Sequence, residues 1–223
     1  MEQTTMIIVA MLLQLLTGAA AYQYLTHRTD EVRQPRAFLK LKYDFVILMV
    51  VLVAFFASAF IFLRGFLSGS DSFMRALMNA EVMLWLSVAG YIDAREKIIP
   101  NCLILAALLF WLVLILLDIF VSGTSWLQLV AFSGIGGLAC GGLLFLIALI
   151  VKSALGMGDV KLFFVLGLLY GLMDAYGILI FSVIAMGVVS IALLVAKKVT
   201  TKSTIPMAPF VILGFFLSIL AGM

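Results

Sequence analysis

Long apolar stretches separated by short polar ones recur along the whole of this chain. They predict helical segments at about 5–25, 44–64, 76–92, 100–121, 126–151, 160–172, 174–196 and 206–222. Most hold about 20 residues, the length at which a helix rising 1.5 Å per residue crosses a hydrocarbon core of roughly 30 Å. The sixth is too short to cross, so it is either re-entrant or runs, kinked, into the seventh. The expected fold class is all-α, a polytopic transmembrane helical bundle of about eight segments.

Composition strengthens that picture. The 223 residues are 65% hydrophobic and 11% charged, with a mean hydropathy of +1.28, far from the balance of a water-soluble domain. The lipid bilayer is therefore the first partner the chain requires, and no stretch is left for a separate soluble domain. The first apolar run, Met6 to Leu25, has small residues at Ala19, Ala20 and Ala21, as a cleaved signal would. Glu2, Gln3, Thr4 and Thr5 precede it without the basic charge of a signal sequence, so it is expected to stay as a transmembrane helix.

Charge orients the segments. Twelve of the fourteen Lys and Arg residues fall around 26–43, 93–100, 152–161 and 197–204. These loops share one face if all eight segments cross. The excess of positive charge on cytoplasmic loops then puts them inside and both termini outside. A net charge of +3, spread along the chain, gives no footprint for nucleic acid. Metal or cofactor chemistry has little to work with, because Cys102 and Cys140 lie in separate apolar runs and His27 in a basic loop. The glycines at 134, 136, 137, 141, 142, 167 and 171 have the small-xxx-small spacing of closely packed membrane helices.

Candidate chemistry resides in two aspartates on the face assigned to the cytoplasm. Asp93 ends an apolar segment, followed by Ala94-Arg95-Glu96-Lys97 and by Pro100, which suits the start of the next helix. The negative end of a helix disfavours its ionised form. Asp159 stands in Gly156-Met157-Gly158-Asp159-Val160-Lys161, where glycines permit unusual backbone and a helix start favours a carboxylate. Asp93 is thus expected to keep a proton and Asp159 to lose one. One protonated carboxyl beside one ionised carboxyl is the equipment of an acid/base dyad. Taken singly, Asp159 serves equally as a helix cap and Asp93 as an interfacial charge. The loop is no phosphate cradle, since no Gly-Lys-Ser/Thr follows.

The segments Tyr91-Ile92-Asp93-Ala94-Arg95-Glu96-Lys97-Ile98-Ile99-Pro100-Asn101, Gly156-Met157-Gly158-Asp159-Val160-Lys161-Leu162 and Ile205-Pro206-Met207-Ala208-Pro209-Phe210 with Gly214 resemble the type IV prepilin peptidases. These are polytopic GxGD-class aspartic proteases, distantly similar in catalytic motif to presenilin-type enzymes. The resemblance covers roughly 76–222. It divides the chain into N-terminal transmembrane segments with a basic loop, 1–75, and a catalytic membrane domain, 76–223, in one integrated whole. It implies that Asp93 and Asp159 are the catalytic pair and that no metal or other cofactor is needed. Gly156, Gly158, Pro100, Lys161 and Glu96 are expected to shape the loops or meet substrate. The implied partner is a prepilin or pseudopilin-like precursor with a basic leader and an apolar helix, cleaved at the cytoplasmic face. Glu96 offers a charge to such a leader, or is merely solvated. Larger bacterial enzymes of the group carry paired CxxC motifs in a cytoplasmic loop and methylate the new N-terminus. The loop at 26–43 has no cysteine, so the nearer likeness is to a peptidase-only form. The rival reading is a carboxylate-using transporter or proton-coupled channel, for which Glu81 and Asn79, inside the third segment, would be the residues of interest.

Overall fold

A computed structural model describes residues 2–33, 37–69, 72–122, 125–150, 156–197 and 205–222. The stretch expected as a loop at 26–43 is helical at 26–33 and 37–43, while 34–36, 151–155 and 198–204 lie outside the described residues. Seven helices are present among those described: α1 (Glu2–Arg33), α2 (Ala37–Leu67), α3 (Phe73–Glu96), α4 (Asn101–Ser122), α5 (Trp126–Ile150), α6 (Met157–Val195) and α7 (Ala208–Ala221). Five of them, α1, α2, α4, α5 and α6, are long and apolar enough to cross a membrane. The 14 residues of α7 reach only about 21 Å at helical rise. Polar Arg75, Asn79 and Glu81 interrupt α3. Large apolar side chains face outward on the spanning helices, with Phe120 83% exposed and Ile150 81% exposed. Hydrocarbon solvates such a surface, whereas water would drive it to aggregate.

The chain divides into two compact units, Met1–Tyr91 and Ile92–Met223. In the first, small Ala76 and Ala80 on α3 leave room for Phe62 of α2 and Ala10 of α1. Phe62, Phe66 and Phe73 form an aromatic triangle with ring centroids 5.5 to 6.0 Å apart. Ser72 starts α3 as a cap, its Oγ accepting the Arg75 N–H. Asn79 and Glu81 are buried in this unit, with the Thr17 hydroxyl as a hydrogen-bond partner of Glu81.

In the second unit α5 lies antiparallel to the first part of α6. A Cβ added to Gly141 would come within 2.7 Å of Phe164, and one on Gly137 within 2.9 Å of Leu168, while Gly136 abuts the backbone of Gly167 and Gly171. The glycine spacing read as helix packing therefore lets these two backbones nearly touch.

Past Gly171 the contacts reverse. Gly177 lies against Ser218 and Gly214 against Ser182, so the rest of α6 runs antiparallel to α7. Gly171 is the hinge, at φ 73° and ψ −170° in an otherwise helical run, a conformation closed to residues with a side chain. Phe132 fills the space where its Cβ would be. A straight 39-residue helix would reach about 58 Å, but this one folds back on itself. The segments expected at 160–172 and 174–196 are the two limbs of α6. Tyr170 and Phe215, with ring centroids 5.6 Å apart, pack edge to face between the first limb and α7.

Candidate active site

Asp93 sits in the last turn of α3, only 5% exposed. The helix ends because Lys97 turns left-handed, at φ 56°, while its N–H still reaches the Asp93 carbonyl at 2.9 Å. Ile98 then faces outward and Ile99 inward. Pro100 gives its carbonyl to the N–H groups of Leu103 and Ile104 at 3.1 and 3.5 Å. It thus caps α4, which begins one residue later than the proline signal suggests. Glu96, half-buried, is the last residue of α3.

The Asp93 side chain meets the start of α7. The Ala208 N–H donates to its Oδ2 at 3.0 Å, and the Met207 N–H is a second donor. This contact has a simple cause. The first N–H groups of a helix lack intrahelical partners, α7 has no side-chain cap of its own and Pro209 sits in its first turn. Asp93 supplies the missing acceptor from 115 residues away.

Asp159 is held differently. The N-cap of α6 is Gly156, extended at φ −74° and ψ 140°. Asp159 is therefore the third residue of the helix, and its carboxylate accepts the Gly156 N–H, half of a capping box. Neither Gly156 nor Gly158 is left-handed, so their conformational freedom is not what the turn uses. They give close approach instead. A Cβ on Gly156 would stand 3.1 Å from Asp159 Oδ2, and one on Gly158 would stand 3.2 Å from Ile99 Cβ. The turn bearing Asp159 thus rests on the segment that follows Asp93. Lys161 adds a polar tie, its Nζ donating to Asn101 Oδ1 at 2.8 Å.

Both aspartates lie beyond the uninterrupted apolar stretches, Asp93 after Ile92 and Asp159 before Leu162. Burial pushes the Asp93 carboxyl above its ordinary range, and the Ala208 and Met207 N–H groups oppose that shift. Asp159 is pushed up to about 6, first by burial and then by the charge of Asp93, against the opposing Gly156 bond. The upward direction expected for Asp93 is met, but the downward one expected for Asp159 is not. A helix start favours a carboxylate by up to about 2 kcal/mol, but at Asp159 burial and a neighbouring negative charge outweigh it. At Asp93 the ionised form gains donors from a helix that sequence spacing does not reveal. The charge of Asp93 favours the acid form of Asp159, while the Ala208 and Met207 N–H groups favour the ionised form of Asp93. Such a pair can draw a proton from water while polarising a carbonyl.

The sequence-predicted residues Asp93, Pro100, Asp159, Gly156, Gly158 and Lys161 are gathered by these contacts, with Glu96 at the end of α3. Ile99, Asn101 and the Met207 and Ala208 backbone are additions. A signal for the last lay in Pro206 and Pro209 bracketing a helix start that has no capping side chain at Met207. Among the described residues, no three His, Cys, Asp or Glu side chains gather where they could hold a metal ion. A model of the type IV leader peptidase family matches residues 80–191, half of the chain. No curated protein and no solved structure matches it.

Proposed function

The chain belongs to the type IV leader peptidase family, and on that premise we propose that it is a membrane aspartic endopeptidase that removes the basic leader of a prepilin-like precursor at the cytoplasmic face. Asp93 is the base that draws a proton from water, and Asp159 is the acid that polarises the scissile carbonyl. The observation carrying this reading is the placement of Asp93 between the α7 N–H donors and a second carboxyl whose acid form its charge favours. The precursor's apolar helix lies in the bilayer against the protein, which brings its leader to the aspartates. The test is cleavage of a prepilin-like precursor by the purified protein in detergent, with N-terminal sequencing of the product. A new N-terminus at the start of the apolar segment is expected, and no cleavage would refute the reading.

Because the reactive state holds one proton, rate should depend on pH in a defined sense. As pH rises through about 6, Asp159 loses its proton, and turnover should fall. At lower pH the pair takes a second proton and the base is lost, giving a bell-shaped profile of a coupled pair. Values of kcat/KM from initial rates at precursor well below KM, from about pH 4 to 9, check this, and a value still climbing through pH 8 would contradict it.

The cytoplasmic placement rests on the distribution of basic residues. With Cys102→Ser and Cys140→Ala as background, a single cysteine at Glu96 should react only from inside and one at Ser125 only from outside. Labelling of both from one side would overturn the orientation. The peptidase is also proposed to act without methylating, since residues 26–43 include none of the cysteines found in the methylating enzymes. Mass spectrometry of product formed with added S-adenosylmethionine should show an unmodified N-terminus, and an enzyme-dependent methyl gain would contradict this.

A further inference from the structure

Two contacts, of different chemistry, join the segment after Asp93 to the first turn of α6. One is apolar, the buried Ile99 side chain beneath Gly158. The other is polar, the Lys161 ammonium on the Asn101 side-chain oxygen. Lys161 is the fifth residue of α6, just past its first turn. Its neighbour two residues earlier is Asp159, but residues at i and i+2 do not face each other on a helix. The ammonium reaches instead to the first residue of α4, 60 residues back in the chain. Asn101 in turn follows a short path, Lys97 to Pro100, from the end of the helix that carries Asp93.

We propose that Lys161 and Asn101 are a positioning pair, a brace that fixes the turn bearing Asp159 against the segment after Asp93 and so assembles the two carboxyls before substrate arrives. The proposal rests on the assignment of those aspartates as the reacting pair. Ile99 sets how closely the two segments approach, but an apolar contact allows sliding. The directional bond two residues after Asp159 removes that freedom. A misplacement of about 1 Å between reacting groups can cost on the order of 100-fold in rate, so an exposed hydrogen bond of little consequence for folding is decisive for turnover.

The experiment uses the full-length protein in detergent with a prepilin-like precursor and compares Lys161→Met, Asn101→Ala, the double variant and Asn101→Asp. Each single change should lower kcat roughly 10- to 100-fold with KM within about threefold of wild type. The double should be no worse than the worse single, and Asn101→Asp, which keeps an oxygen acceptor, should restore most of the rate. The alkaline limb of the pH profile should stay in place, since the ammonium acts by position and not on the proton of Asp159. Unchanged kcat in either single, multiplying losses in the double, or a loss carried by KM would overturn the brace. Should Lys161→Met fail to fold, Asn101→Ala and its Asp counterpart decide the matter at an exposed site. A wild-type protein that does not cleave, or an active Asp93→Asn variant, would instead refute the proposed function.

Discussion

Replacing Gly158 by valine is expected to lower the rate of precursor cleavage by about 100-fold or more, while alanine at the same place costs only a few-fold. A Cβ on Gly158 would meet Ile99 Cβ at 3.2 Å and Cγ1 at 3.3 Å. A single methyl at that distance needs a shift of a few tenths of an ångström, which one isoleucine can supply. Two further methyls cannot be fitted without lifting the first turn of α6, and with it Asp159, off the segment after Asp93. The cost then falls on geometry, so kcat should drop more than KM rises. If this account holds, truncating the opposing side chain should help. Gly158→Val with Ile99→Ala should recover part of the lost rate, although Ile99→Ala alone, which leaves a cavity, should not exceed wild type. Initial rates at matched amounts of folded protein check both points. A fully active Gly158→Val enzyme, or a double variant no better than the single, would remove the contact from the explanation.

The limits of sequence reading show at individual residues. Helix positions were legible because the apolar stretches are long and their interruptions short, and the two aspartates stood out because charge is rare in this chain. Of the glycine series, Gly136, Gly137, Gly141, Gly167 and Gly171 lie at close helix contacts as expected, whereas Gly134 and Gly142 face open space. The series did not show that Gly171 turns the chain back, because the same residue type serves packing and reversal alike. A kinked continuation had been one of the alternatives, and the backbone decides the outcome through a positive φ with Phe132 pressed against it. The direction expected for Asp93 held and the one for Asp159 failed, for a related reason. Local position tells which helix end a carboxylate occupies, but burial dominates at both aspartates, and at Asp93 it is opposed by the N–H groups of Ala208 and Met207, more than a hundred residues on. Likewise the contacts of Gly158 with Ile99 and of Lys161 with Asn101 come from tertiary packing and not from spacing. Spacing singled out candidate residues, and tertiary packing sets which neighbours each one meets.

The larger effect belongs to the aspartates themselves. Asn in place of Asp keeps the shape of the side chain, and at position 93 its oxygen can still accept the Ala208 N–H, so folding should survive. What disappears is the proton the pair must share. One positioned acid or base is worth roughly 10²- to 10⁴-fold, and two groups acting as a unit are lost together. Asp93→Asn and Asp159→Asn should therefore each reduce cleavage by at least about 1,000-fold, with the double variant scarcely worse than either. The measurement that bears most directly on the proposed dyad is the single-turnover cleavage rate of one prepilin-like precursor by wild type, both single variants and the double, all shown to be folded in detergent. Near-complete and non-additive loss is the predicted result. Substantial cleavage by either folded single variant would contradict the account.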